Sequence, residues 1–190
     1  MNPKKWAERL PHWGPHEHAG VTQSLGHLDP FRYFMMLPAM AADATRPARP
    51  AKEVEIRAAF SCHVFTRFPV PADGPEHRYR LSKEGRCFCP VRYGLSHLLP
   101  DIVRTLDRRN CYPANQENFL VIDTPALLAG GSEYRVFFDL RSTGEAGALL
   151  AYIESAYPIQ KGAGPAGVQA QPIGFRVLVS RELAKQNRAV

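Results

Sequence analysis

His63 is the side chain best suited to acid–base work, because an imidazole titrates near neutrality and here it stands close to a serine and an arginine. In residues 53–68, EVEIRAAFSCHVFTRF, the positions Val54, Ile56, Ala58, Phe60, Cys62, Val64 and Thr66 recur at two-residue spacing. A strand with that period puts Arg57, Ser61, His63, Phe65 and Arg67 on the opposite face, away from the most apolar side. Metal chemistry is poorly served. Cys87 and Cys89 are separated by one residue, not the two to four of a structural zinc knuckle, and Cys62 and Cys111 lie far off in sequence. The four cysteines are therefore expected to be free, buried thiols, with no metal and no other cofactor. His12, His16 and His18 cluster among prolines without an acidic or cysteine partner set, and no HExxH motif occurs.

The elements that must position these groups are read from periodicity. Residues 133–158, EYRVFFDLRSTGEAGALLAYIESAYP, hold two apolar runs around a Ser/Thr/Gly break, the pattern of a β-hairpin. Tyr134 to Leu140 and Leu149 to Ser155 are expected to pair as central antiparallel strands. Residues 25–37 and 53–68 read as two earlier strands joined across the Ala/Pro-rich connection 38–52, in the manner of a wide hairpin. Leu95, Leu98, Leu99, Ile102, Val103 and Leu106 fall at helical spacing, with Pro100 placing the regular start near Leu99. Residues 118–123 and 173–180 read as further strands. The fold expected is α+β: an antiparallel meander with one main helix packed on a face. Residues 1–20 read as an irregular arm, and residues 21–190 as one domain.

Composition bounds the function. The 190 residues carry a formal charge of +6, with a pI near 9.3, which suits a polyanionic partner such as nucleic acid as well as a solvated basic surface. No apolar run approaches the roughly 18 residues a membrane helix needs, and residues 1–18 lack the apolar stretch of a signal peptide. A cytoplasmic protein with no membrane partner is expected. The glycine-rich stretch 161–172 lacks the Gly-Lys-Ser/Thr ending of a phosphate loop.

Two resemblances add to this. Through HLDPF, FSCHVFTR, FCPVRYGLSHLLP, YRVFFDL and YIESAYP, the chain resembles a family of uncharacterised prophage-type proteins over most of residues 27–180. In residues 95–180, the order of helix then meander, with a Ser-Ala-Tyr-Pro turn, resembles the barnase, EndoU, colicin and RelE superfamily of RNA-cleaving domains. The second resemblance implies metal-independent attack of a ribose 2′-hydroxyl on the adjacent phosphate, which needs a base, an acid and a cation. It would use His63 as acid or base, Tyr157 as proton donor or stacking ring, and Ser155 as a phosphate hydrogen-bonder. Arg67 and Arg92 would grip the phosphate and Tyr93 would stack on a base. The partners implied are RNA and an antitoxin. The alternative is a prophage interaction protein that binds a host protein or nucleic acid without turnover.

Overall fold

The structure is a computed structural model that describes residues 10–42, 44, 47–82, 84–114, 119–123, 132–160 and 171–186. Its first strands, β1 (His16–His18) and β2 (Val21–Gln23), form a small hairpin in the stretch expected to be irregular. Ala19 and Gly20 make the turn in the left-handed region, at φ 51° and 75°. The ring of His16 packs 4.8 Å from that of Phe88, so a hairpin without sequence periodicity is held by what it covers. The first nine residues of the arm, part of the glycine-rich stretch and the last four residues fall outside the described set.

The main sheet begins with β3 (Phe31–Leu37) and β4 (Lys52–Phe60), antiparallel with Phe31 opposite Ala58 and Leu37 opposite Lys52. This is the wide hairpin expected across residues 38–52. After β4 come two short strands, β5 (Thr66–Arg67) and β6 (Cys87–Phe88), paired with each other. Two helices follow, α1 (Pro90–Ser96) and α2 (Leu99–Arg104). The chain then returns to the main sheet as β7 (Asn110–Pro113), β8 (Phe119–Asp123), β9 (Ser132–Ser142), β10 (Ala148–Gln160) and β11 (Ile173–Gly174), and closes with α3 (Phe175–Gln186). Strand order is β11-β7-β8-β9-β10-β4-β3.

The expected α+β class, the central β9–β10 pairing and the antiparallel run β8–β9–β10 are all present, and β7, a strand not expected from the sequence, extends that run. Two features of the expected sheet differ. First, β10 pairs with β4 in parallel, Leu149 opposite Ile56 and Ile153 opposite Phe60, which makes the sheet mixed. The residues explain the placement: Val54, Ile56, Ala58 and Phe60 are buried on one face, and Arg57 and Ala59 are buried on the other. A strand covered on both faces belongs inside a sheet. Second, residues 175–180 are helical, not extended. Phe175, Leu178, Val179 and Leu183 are the buried positions of α3, and their spacing is that of one helical face.

The single helix expected over residues 95–106 is two helices. Pro90 opens α1 and Pro100 lies in the first turn of α2, where an amide hydrogen would find no intrahelical acceptor. Leu95, Leu99, Ile102, Val103 and Leu106 share one core with Phe175, Val179, Ile56, Phe60, Phe138 and Ile153. The Phe138 and Phe175 rings meet edge to face at 6.0 Å. The opposite sheet face carries charge pairs in place of helices. Arg57 bonds Glu55 and Glu145, Arg135 bonds Glu133, and Arg141 bonds Asp139 and Glu154. Among the described residues, no helix is long and apolar enough to cross a membrane.

Candidate active-site corner

The corner around His63 exists because two neighbouring strands differ in length. The parallel pairing ends at Ile153 opposite Phe60, while β10 runs on to Gln160 with an irregularity between Ile153 and Ser155. The last step of that edge is the Ser61 amide donating to the Ile153 carbonyl at 2.9 Å. The chain then leaves the sheet. Ser61 caps a single 3₁₀ turn, Cys62–Val64, by accepting the His63 amide at 3.2 Å. His63 is therefore on a turn, and the strict alternation through Thr66 stops at Phe60.

Its imidazole Nε2 lies 3.0 Å from Glu84 Oε2. The same carboxylate stands 3.5 Å from Arg86, whose guanidinium is buried and donates to the Thr66 hydroxyl and carbonyl at 2.8 and 3.3 Å. From α1, Arg92 Nη1 donates to the His63 and Thr66 carbonyls at 3.0 and 2.8 Å. Its guanidinium lies 5.0 Å above the Tyr157 ring, which is stacked on Phe137 at 5.5 Å. Burial, then repulsion from Arg86, hold the His63 imidazole below its ordinary pKa, against the opposing pull of Glu84. The result is a neutral imidazole at neutral pH beside two cations. Nearby on β9, the Tyr134 hydroxyl is buried without a hydrogen-bond partner among the described residues, and burial pushes its pKa up.

Of the residues singled out from sequence, His63, Arg92 and Tyr157 come together here. Ser155 sits opposite Phe137 in register, two positions before Tyr157. Arg67 does not share a face with His63. It grips Asp73 through two bonds of 2.5 and 2.6 Å and holds that carboxyl well below the usual range. Tyr93 turns the other way: its hydroxyl donates to the Ser24 carbonyl at 3.1 Å, and its ring packs against Phe88 and His97. Glu84 and Arg86 were not singled out, because they lie about twenty residues from His63 in a turn-rich segment with no period to flag them.

A second histidine cluster also escaped. The His27 and His97 rings stack at 3.8 Å, and His27 Nε2 lies 2.7 Å from the Ser96 hydroxyl. Burial first, and His97 second, push the His27 imidazole down to about 4. The four cysteines are free, with Cys87 and Cys111 buried and Cys62 and Cys89 half-buried. Burial pushes the Cys111 thiol up to about 12. Among the described residues, no group of three or more His, Cys, Asp or Glu side chains is placed to hold a metal ion.

Fold and corner together define an α+β protein with helices on one face of a mixed sheet and a histidine–carboxylate pair at the end of its central parallel step. The chain belongs to the YjaZ family, whose model matches residues 15–183. That span takes in the stretch over which the sequence resembles an uncharacterised family. No curated protein matches the chain, and no solved structure does.

Proposed function

We propose that the His63 corner is an acid–base site that cleaves RNA without a metal ion. The observation that supports this best is the convergence of the His63–Glu84 pair with Arg86, Arg92 and Tyr157, from three separated stretches of chain. Glu84 on Nε2 favours the tautomer that leaves Nδ1 as the proton acceptor. In this reading, the neutral His63 takes the proton from a ribose 2′-hydroxyl as its oxygen attacks the adjacent phosphorus. The 5′-oxygen then leaves with a proton from Tyr157. Arg92 uses only Nη1 in its two carbonyl bonds, so the rest of its guanidinium is available to the phosphorane oxygens. Ser155 adds a hydroxyl beside Tyr157, and Arg67 and Tyr93 act as struts for the surrounding loops. The reading carries with it RNA as substrate, a prophage or toxin setting, a neutralising antitoxin and a cytoplasmic location.

A second reading is docking on a host protein or nucleic acid without turnover. Phe34 and Met36, each about half exposed on β3, support it as apolar surface facing solvent.

Incubating the purified chain with total RNA in chelator, then mapping ends that carry a 2′,3′-cyclic phosphate, separates the two. Cleavage is expected, with His63→Ala slower by about two to four orders of magnitude at nearly unchanged stability. Intact RNA at micromolar protein refutes the enzyme reading, and salt-sensitive RNA retention in the same sample then supports docking.

A further inference from the structure

β5 ends at Arg67, and the next residue, Phe68, is 69% exposed, a large ring held in water beside the His63 corner. The turn that carries it is closed on itself. Arg67 Nη1 donates to the Phe68 carbonyl at 3.0 Å, and the same guanidinium grips the Asp73 carboxylate through both nitrogens. Asp73 in turn accepts the Val70 amide at 2.7 Å on Oδ2, and its own amide donates to the Val70 carbonyl at 2.9 Å. Each of these bonds that involves Phe68 uses only its backbone. The turn therefore needs no aromatic side chain at this position, yet it fixes one there and points it outward.

The ring is tied to the corner through one cation. The Arg86 guanidinium lies 4.5 Å from the Phe68 centroid, over one face, which leaves the rest of the ring to solvent. The same Arg86 donates to the Thr66 carbonyl at 3.3 Å, and that carbonyl also accepts Arg92 Nη1 at 2.8 Å. Phe68 thus stands one guanidinium away from Arg92. The three arginines differ in what answers their charge: Arg67 has Asp73 and Arg86 has Glu84, whereas Arg92 meets only carbonyls and the Tyr157 ring and has no carboxylate partner among the described residues.

We propose that Phe68 is a platform on which an unpaired base of the RNA stacks, next to the phosphate held at Arg92. The inference rests on RNA being what this corner takes, and it makes that RNA single-stranded. An open aromatic face beside an unanswered cation fits a flat neutral ring joined to an anion by a short link, and a nucleotide has its base and phosphate separated by one sugar. A duplex keeps its base faces in its own stack and gains nothing from Phe68. An apolar protein surface would cover Phe68 but leave Arg92 without a counter-charge.

Fluorescence anisotropy on the purified full chain tests this with labelled 2′-O-methyl oligonucleotides, whose blocked 2′-oxygen cannot attack: a short single strand, the same strand in a duplex, and an abasic strand of equal length and charge. Phe68→Ala should weaken the single strand by roughly 5- to 150-fold, the worth of one stacked base. It should leave the slope of affinity against salt unchanged, because no phosphate contact is lost, and should leave the duplex and the abasic strand as the parent binds them. Phe68→Trp, with a larger stacking face, should bind the single strand at least as tightly as the parent. Position 68 is exposed and its turn uses only its backbone, so both variants stay folded. No binding of the single strand by the parent, an affinity unchanged in Phe68→Ala, an equal loss on the abasic strand, or a loss in Phe68→Trp as large as in Phe68→Ala overturns the proposal. Cleavage is read separately. Intact total RNA together with Phe68-dependent binding of the uncleavable strand removes the enzyme reading and keeps the platform, whereas total RNA cut equally fast at sub-saturating concentration by the parent and Phe68→Ala removes the platform and keeps the enzyme.

Discussion

Acidification should weaken this fold through His27, by an amount set by how that ring is packed. In the unfolded chain an imidazole titrates near 6.5, whereas in the fold the His27 ring, stacked at 3.8 Å on His97, is pushed down to about 4. Between those two values the unfolded chain binds a proton that the folded chain refuses. Stability is therefore full above about 6.5, falls as the pH drops toward about 4, and levels off below. A difference of about 2.5 in pKa corresponds to roughly 3.4 kcal/mol, and solvent screening of a half-buried ring reduces this to about 1–2 kcal/mol. Asp29 and the Ser24 backbone pull the other way and His97 adds to the effect, so the neighbours on both sides are already within that figure. The assay is urea unfolding at pH 7 and pH 4.5 for the parent chain and for His27→Gln, whose amide keeps a bond to the Ser96 hydroxyl. The variant should lose about 1–2 kcal/mol less than the parent on acidification. His97→Gln, which removes the stacked partner ring, should shrink the loss by a smaller amount. Equal losses in the parent and His27→Gln would show that the stacked pair is not where the proton is refused.

Three further outcomes follow from packing and from cysteine placement. Leu99→Ala and Ile102→Ala should each cost about 2–5 kcal/mol in urea unfolding, because both side chains are buried against the sheet, while half-buried Leu98→Ala should cost less. In α3, Val179→Ala should cost roughly 1–3 kcal/mol and Val177→Ala under about 0.5, since the first is fully buried and the second is 47% exposed; equal costs would contradict the helical face. Elemental analysis of purified protein should find no stoichiometric zinc, and one equivalent lost on Cys87→Ser, Cys89→Ser would reverse that expectation.

The parts of the fold legible in the sequence are those whose period is uninterrupted. β9 and β10 announce themselves through alternating apolar residues around a Thr/Gly turn, in which Gly144 and Gly147 adopt φ of 76° and 80°. β3 and β4 are legible for the same reason. What local pattern cannot report is which strands become neighbours across the fold. That β10 lies parallel beside β4 depends on β4 being buried on both faces, which Ala59 and above all Arg57, a charged residue with 2% exposure held by Glu55 and Glu145, betray afterwards. The α3 stretch failed differently. In FRVLVS the β-branched valines outweigh the helical spacing of Phe175, Leu178 and Val179, which shows its full length only when Leu183 is included.

The candidate site was half legible, for a reason that lies in its construction. His63, Arg92 and Tyr157 could be chosen by residue type alone, yet the strand face meant to unite His63 with Arg67 does not exist, because the chain turns at Ser61. The turn itself is a consequence of length mismatch: β10 outruns β4, and the unpaired edge must be met by something other than a strand. A capped 3₁₀ turn carrying His63, the segment with Glu84 and Arg86 that leads into the two-stranded ladder, and α1 carrying Arg92 fill it. Glu84 and Arg86 are drawn in by that ladder, since β6 follows them directly and pairs with β5 beside His63. The corner is thus a product of sheet topology and not of a motif, so Ser61→Val, which removes the hydroxyl that accepts the His63 amide and caps the turn, should disperse the His63–Glu84 pair although neither member of the pair is replaced.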